Sequence, residues 1–223
     1  MVLRSNPAAT RRVQLTRATV LRAAVALADQ SGLDVLTMRK LGESLEVEAM
    51  SLYNHVANKE DLLDGMIDLV FDEIDVPFAG DWMPAMRLRA VSLRDVLVRH
   101  RWAIGVMDSR RNPGPANLRH HDAVLQCLRT AGFSIELAAH AYSLMDSYIY
   151  GFAQTQLSLP FDEPEHSAVL AQEMLEDVSM AQYPSLAEML AYATRPEYDH
   201  GREFEFGLDV VLKGIRMLRP SPA

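Results

Sequence analysis

The segment from Leu36 to Lys59 constrains the fold most strongly, because its capping and apolar residues predict two short helices joined by a tight turn. Thr37 precedes the first helix and can accept a backbone hydrogen bond there, as an N-cap residue does. Leu41 and Leu45 are four positions apart, which places both on one face of that helix. This arrangement is typical of a helix-turn-helix, a unit that lays its second helix in the major groove of DNA.

We predict the second helix over 48–54, with Leu52 and Val56 extending the same small core. Its other face carries small and hydrogen-bonding side chains that can approach base edges and phosphates: Ala49, Met50, Ser51, Tyr53 and Asn54. Asn58 is expected to cap a longer third helix that begins at Lys59. Lys59 and the free N–H groups of that first turn can bind a DNA phosphate, although an ordinary solvated lysine gives the same pattern.

Residues 14–76 resemble the DNA-binding region of the TetR family of bacterial transcriptional repressors. The motifs that carry the resemblance are RKL at 39–41, SLYNHV at 51–56 and NKEDLL at 58–63. The segment FEFGLDVVLKGIRML at 204–218 is similar to the last helix of the tetracycline-repressor branch. The resemblance implies an all-α fold, with a three-helix DNA-binding head over 1–76 and a helical effector-binding and dimerisation domain over 77–223.

The resemblance also implies roles for residues in the head. Tyr53 and Lys59 match phosphate-contacting positions of the family. Arg39 matches a base-contacting arginine of the tetracycline-repressor branch, and His55 matches the histidine after the recognition helix. The base-reading positions differ from those of that branch, so a different operator is expected. The complete predicted DNA-binding set is Thr37, Arg39, Ala49, Met50, Ser51, Tyr53, Asn54, His55 and Lys59.

Glu46 departs from the family pattern, since glycine usually occupies this position of the turn. Glycine there supports a left-handed backbone without steric cost. A glutamate implies either an adjusted turn or strain of about 1 kcal/mol.

The charge distribution favours a DNA-binding head on an acidic body. The net charge of the chain is −8, which alone argues against DNA. Residues 1–40 nevertheless carry seven basic and two acidic residues, a net charge of +5, which leaves −13 for the remainder. Arg4, Arg11 and Arg12 could touch the DNA backbone or minor groove, or form a solvated basic tail.

Compartment signals favour the cytoplasm. A single cysteine, Cys127, cannot form an internal disulfide, and a buried small hydrophobe is its expected role. The N-terminal segment lacks an apolar core for secretion, and no run of about 18 apolar residues could span a membrane. We therefore expect a cytoplasmic protein with no membrane partner.

Helical periodicity extends over nearly the whole chain after Leu15. The predicted helices lie at 16–31, 37–44, 48–54, 59–75, 84–99, 102–109, 116–131, 134–158, 165–180, 184–193 and 202–218.

Two of these helices, at 134–158 and 202–218, have apolar residues on a broad face or on more than one face. Such helices are either deeply buried or shared with another chain. The family resemblance implies that both pack against their copies in a four-helix dimer interface, which would place two heads on half-sites about one DNA turn apart. The predicted interface residues are Tyr142, Met145, Ile149, Phe204, Leu208, Val211 and Ile215.

The remaining central helices are expected to surround a cavity for a small-molecule effector. The 12 methionines suit an adaptable pocket, although an ordinary core role explains each apolar candidate better when taken singly. The candidate lining residues are Met66, Val70, Arg89, Leu93, Trp102, Val106, Met107, His140, Leu144, Tyr148 and Gln154.

Magnesium–tetracycline is not the expected effector. The resemblance places Met107 at the position of a histidine that ligates the drug-bound magnesium, and a thioether is a poor ligand for a hard cation. Arg89 stands where an asparagine holds the drug. This arginine could suit an acidic ligand or could simply be solvated.

Two other functions are compatible with a helical chain. A small all-helical enzyme acting on an apolar substrate needs a nucleophile–base pair or a metal set, and no such catalytic, metal or cofactor pattern is visible in the sequence. A dimeric adaptor without DNA binding conflicts with the basic head. We therefore predict a ligand-responsive regulator, more specifically a repressor, whose partners are operator DNA, a second copy of the chain and an unidentified effector.

Overall fold

The computed structural model describes residues 15–76, 80–107, 113–158, 182–193, 195 and 198–218. The elements of these residues are helices, which confirms the all-α prediction. They are α1 (Arg17–Ser31), α2 (Met38–Ser44), α3 (Ala49–Leu52), α4 (Lys59–Asp72), α5 (Trp82–Arg99), α6 (Ile104–Met107), α7 (Pro115–Thr130), α8 (Ile135–Ser158), α9 (Pro184–Ala193) and α10 (His200–Leu218). The helix predicted over 165–180 and the basic residues Arg4, Arg11 and Arg12 lie outside the described residues.

The head forms around the apolar residues that the helix-turn-helix pattern predicts. Leu41, Leu52 and Val56 are buried together beneath α2 and α3. The Thr37 hydroxyl accepts a hydrogen bond from the Lys40 amide at 3.2 Å and so caps α2. These contacts are local in the sequence, and this explains why they are visible in it.

Helix α4 packs against both the head and the body. A side chain at Gly65 would lie 2.7 Å from the Leu21 side chain, so α1 and α4 approach closely there. Further along, the Asp68 carboxylate accepts hydrogen bonds from the amides of Ala116 and Asn117, at 2.8 and 3.1 Å, and caps the first turn of α7. A division of the chain near residue 76 therefore remains a prediction, because α4 is shared by both parts.

The body core lies among α5, α7, α8 and α10. Leu97 and Leu128 are fully buried within it. The Tyr148 ring stacks on Phe204 at a centroid distance of 5.4 Å, and its hydroxyl donates to the Phe204 carbonyl oxygen at 2.8 Å. These contacts join α8 to α10 within a single chain.

The predicted dimer interface requires correction. Five of its residues are buried in the core of their own chain: Met145, Ile149, Phe204, Leu208 and Ile215. Side chains without accessible surface cannot contact a second copy. Tyr142 and Val211 are half-buried, and Tyr142 is hydrogen-bonded to His121. Helix α10 is apolar on two faces, and the structure buries the face that the prediction assigned to the partner.

Some of the side chains that α10 exposes are also apolar. Phe206 is 72% exposed and Met217 is 84% exposed, with Val210 between them on the same side of the helix. Across the residues that the structure describes, no helix has both the length and the apolar character needed to cross a membrane.

Candidate nucleic-acid interface and adjoining cavity

Helix α3 presents an exposed face at the outer side of the head. It is shorter than predicted, since the chain leaves the helix after Leu52 and continues through a turn to His55. Met50 is 76% exposed, and Tyr53 and Asn54 are also exposed. Ala49, Ser51 and His55 are half-buried at the edge of this face.

Thr37, Arg39 and Lys59 are exposed on neighbouring helix starts. The Thr37 oxygen caps α2, which leaves its hydroxyl hydrogen available to donate. Arg39 Nε lies 2.9 Å from Glu43 Oε1, so a base contact by Arg39 requires release of a solvent-exposed ion pair. Lys59 is the first residue of α4 and forms no ion pair with any residue that the structure describes.

An ion pair fixes the start of α4 relative to α1. Arg17 Nη2 and Nη1 donate to the Asp61 carboxylate at 2.6 and 2.9 Å. Arg17 Nη1 also donates to the His55 carbonyl oxygen at 3.0 Å, and the Ala57 amide donates to Asp61 at 2.8 Å. The hydrogen bonds from Arg17 and Ala57 lower the pKa of Asp61. The turn between α3 and Lys59 is thereby held in one geometry.

The turn between α2 and α3 has two special positions. Glu46 adopts φ +55°, so the left-handed backbone expected there is present without glycine. Gly42 is the position at which glycine is sterically required, since a Cβ atom would lie 2.8 Å from the Val47 carbonyl oxygen. Sequence reasoning missed Gly42, because its constraint comes from the close approach of α3.

A cavity of about 570 Å³ lies among α4, α6, α7 and α8. Its apolar lining residues are Phe71, Met107, Pro113 and Leu118. Its polar lining residues are Asn117, His121, Tyr142, Ser143, Asp146, Ser147 and Tyr150. The volume suits a small organic molecule.

Met107 alone of the predicted pocket residues lines this cavity. Met66, Val70 and Leu93 have no exposed surface and pack in the core. Trp102 and Val106 are also buried, whereas His140, Leu144 and Gln154 lie on the exposed face of α8. Tyr148 packs on Phe204, as described above. Helical spacing identifies the apolar faces of the helices, but it does not show which residues border an empty volume.

Arg89 is buried behind the cavity, which excludes one of the two interpretations given above, a solvated side chain. It is 1% exposed, and its Nη1 lies 2.6 Å from Asp146 Oδ1. The two groups form a close ion pair, but the angle between them is outside the range of a hydrogen bond. Arg89 Nε donates to His120 Nε2 at 3.0 Å, and the guanidinium lies 5.6 Å from the centre of the Tyr142 ring.

The two histidines beside Arg89 are held neutral. Burial, followed by the positive charges of Arg89 and His121, lowers the pKa of His120 to about 3. Burial also lowers the pKa of His121. The Tyr142 hydroxyl contacts Nδ1 of His121. Burial, followed by the Asp146 carboxylate, raises the pKa of Tyr142, so this phenol stays protonated.

Two family models match the chain over most of its length. Residues 20–66 match the description "Bacterial regulatory proteins, tetR family". Residues 76–219 match "Tetracyclin repressor-like, C-terminal domain". The chain belongs to the TetR family.

Relatives in the TetR family include repressors and a solved complex. The chain is 32% identical over 214 residues to the HTH-type transcriptional repressor DrrR1 of Streptomyces coeruleorubidus, covering 92% of this chain and 78% of the relative. It is 31% identical over 205 residues to the tetracycline repressor protein class A from transposon 1721 of Escherichia coli, covering 90% of each. ActR of Streptomyces coelicolor in complex with actinorhodin gives a TM-score of 0.76 at 27% identity, covering 94% of this chain and 100% of that one.

This TetR-family chain is a helix-turn-helix transcription regulator and not an enzyme. Among similar structures, BioQ has been solved with its double-stranded DNA operator and ActR with actinorhodin, and dimerisation is typical of the family.

Proposed function

We propose that this regulator is a repressor that binds a palindromic operator as a homodimer and leaves it when a small molecule occupies the α4–α6–α7–α8 cavity. The observation that carries the proposal is the course of α4. This helix begins at Lys59, beside the exposed face of α3, and includes Phe71, which lines the cavity. One rigid element therefore joins the candidate phosphate anchor to the candidate effector site.

The head supplies the DNA-binding part of the proposal. Ala49, Met50 and Ser51 are the candidate base readers. Tyr53 and Lys59 are the candidate phosphate anchors on either side of the turn that Arg17 holds. Pre-ordered anchors reduce the entropy lost on binding. A ligand releases the DNA if it binds better to a conformation in which the two heads are wrongly spaced.

We propose that a second copy of the chain packs against the exposed face of α10. Phe206, Val210 and Met217 form a mostly apolar stripe along one side of the helix, which Lys213 interrupts between Val210 and Met217. Clustered apolar exposure of this kind marks an interaction site in soluble proteins. A two-fold axis beside α8 and α10 would bury the stripe against itself and pair the two heads, in keeping with the dimerisation typical of the family.

Magnesium–tetracycline is not the effector that we propose, for two physical reasons. The Met107 thioether lines the cavity at the position matched to a magnesium-binding histidine, and Arg89 is engaged by Asp146 and His120. The complex of ActR with actinorhodin supports a small organic molecule as the general class of effector.

DNA binding is tested by fluorescence anisotropy with an inverted repeat from the DNA that flanks the gene. Tyr53→Ala and Lys59→Ala should each weaken binding, and Lys59→Ala should also lower the slope of log K against log salt by about one unit. Arg119→Ala is the matched control, because Arg119 is an exposed basic residue on α7 whose partner, Asp72, lies at the opposite end of α4 from Lys59. Unchanged binding in both head variants would overturn the assignment.

The dimer is tested by sedimentation of Val210→Asp, which should shift the protein from dimer to monomer. Leu88→Asp on α5 provides an exposed apolar control and should remain dimeric. A dimer that survives Val210→Asp unchanged would exclude this face of α10 as the interface.

A further inference from the structure

The polar wall of the cavity presents a carboxylate and keeps the paired guanidinium out of reach. Asp146 lines the cavity and its side chain is 16% exposed. Arg89 does not line the cavity and lies behind Asp146. A bound molecule therefore meets the negative end of this ion pair first.

The groups beside Asp146 contain more hydrogen-bond acceptors than donors. A neutral His121 has one N–H and one bare nitrogen, and Tyr142 has one O–H. The Asp146 carboxylate only accepts, and two oxygens provide about four lone-pair sites. The Tyr142 hydroxyl contacts His121, and Arg89 forms an ion pair with Asp146 that lacks hydrogen-bond geometry, so acceptor sites of this carboxylate remain unfilled.

The cavity wall disfavours both a negatively and a positively charged ligand. An anion would approach the carboxylate while the compensating cation stays buried behind it. A cation could pair with Asp146, but it would compete with Arg89, whose only other polar partner among the described residues is His120. An uncharged donor uses the free lone pairs of the carboxylate and leaves the Arg89–Asp146 pair intact.

The rest of the lining favours a flat apolar body. Phe71, Met107, Pro113 and Leu118 surround the polar wall. Aromatic faces and a polarisable thioether pack well on aromatic rings. We propose that the cavity takes an uncharged aromatic molecule that donates a hydroxyl hydrogen bond to the Asp146 carboxylate. This inference rests on the proposed role of the cavity as the effector site.

Four probes on one scaffold test the ligand class with the full-length protein. They are 2-naphthol, a neutral donor; 2-methoxynaphthalene, a neutral molecule without a donor; 2-naphthoate, an anion; and 2-(aminomethyl)naphthalene, a cation. Calorimetry should show 2-naphthol binding about tenfold more tightly than the methyl ether, because a hydrogen bond to a charged acceptor is lost in the ether. The naphthoate should bind most weakly.

A double variant tests whether Asp146 makes the distinction. Arg89→Gln with Asp146→Asn removes both charges together, so neither ion is left unpaired. The preference for 2-naphthol over its methyl ether should fall from about tenfold to about twofold. His140→Ala on the exposed face of α8 is the control and should keep the preference. Because the four-probe ranking uses the unaltered protein, a variant that does not fold leaves that test in place.

Three results would overturn the ligand class: tighter binding of the naphthoate or the ammonium probe, equal binding of the naphthol and its ether, or no binding of any probe. Operator DNA in a parallel titration separates this failure from failure of the proposed function. If the naphthoate both binds and releases DNA, effector control stands and the neutral-donor class is wrong. If the naphthol shows the expected preference but leaves DNA binding unchanged, the ligand class stands and the effector role is wrong.

Discussion

Two of the long-range arginine–aspartate pairs, one in the head and one in the body, lie in different surroundings. Arg17 and Asp61 in the head are partly exposed, and several hydrogen bonds with good geometry satisfy them. In the body, Arg89 is buried and Asp146 is only 16% exposed, and Asp146 is the main balance for the charge of the arginine. The comparison teaches that the same pair of residue types orders a turn in one region and determines the chemistry of a cavity wall in the other.

The largest expected difference is the cost of removing one carboxylate. Asp146→Asn leaves a buried arginine without its counter-ion and should lower the free energy of unfolding by about 3–5 kcal/mol. Asp61→Asn leaves an arginine that water can reach, and should cost about 1 kcal/mol or less. Urea unfolding of both variants measures the difference. Equal losses would mean that the two pairs do not differ in the way their burial indicates.

Acid should destabilise the body before the head. The pKa of His120 in the folded protein is about 3, well below its value in the unfolded chain. The stability that the neutral histidine contributes is therefore complete above the unfolded pKa and declines as the pH falls below about 6.5. The slope is about 1.4 kcal/mol per pH unit, and the lowered pKa of His121 acts in the same direction. The lowered pKa of Asp61 takes effect only below about pH 4, where its ordinary titration begins.

Unfolding free energies between about pH 6.5 and about pH 4.5 measure this separation. His120→Gln keeps an acceptor for Arg89 and should flatten the pH dependence in that window. Asp61→Asn should leave the dependence there unchanged. A flat profile in the unaltered protein would show that the buried histidines do not control its acid stability.

The smallest of the three effects is steric and belongs to the head. Gly42→Ala places a Cβ atom 2.8 Å from the Val47 carbonyl oxygen, so α2 and α3 must move apart. We expect a loss of about 1–3 kcal/mol and weaker operator binding. Gly105→Ala in α6 is the control, since nothing lies within 4 Å of its added atom and stability should be maintained or raised. Equal behaviour of the two variants in urea unfolding would argue against a tight helix-turn-helix contact.

Much of the head follows from its sequence because its determinants are neighbours along the chain. Thr37 and Asn58 cap the helices that follow them, as predicted. Leu41 and Leu52 are buried, as their spacing predicts. Glu46 has the left-handed backbone expected from its position in the turn. The ion pair between Arg17 and Asp61 was missed, since nothing local connects residues so far apart in sequence.

The body was predicted less completely, for two physical reasons. Periodicity identifies apolar faces, but it does not say which face of α10 belongs to the core, so Phe204 and Leu208 were assigned to the wrong side. A pocket depends on where packing is incomplete, and this is a property of several helices together. Arg89 received two interpretations from the sequence, and neither included its half-buried partner Asp146. The expectation that Cys127 is a buried small hydrophobe is confirmed.

The shared helix α4 has a geometric consequence for signalling. Its 14 residues make a rod about 20 Å long, at a rise of about 1.5 Å per residue. The Asp68 carboxylate ties the rod to the first turn of α7, which contributes Asn117 and Leu118 to the cavity wall. A rotation of only about 3° about the Phe71 end displaces Lys59 by about 1 Å, which is comparable to the tolerance of a hydrogen bond to a phosphate. A small difference in the size of the bound molecule would therefore move Lys59 far enough to weaken its contact with a DNA phosphate.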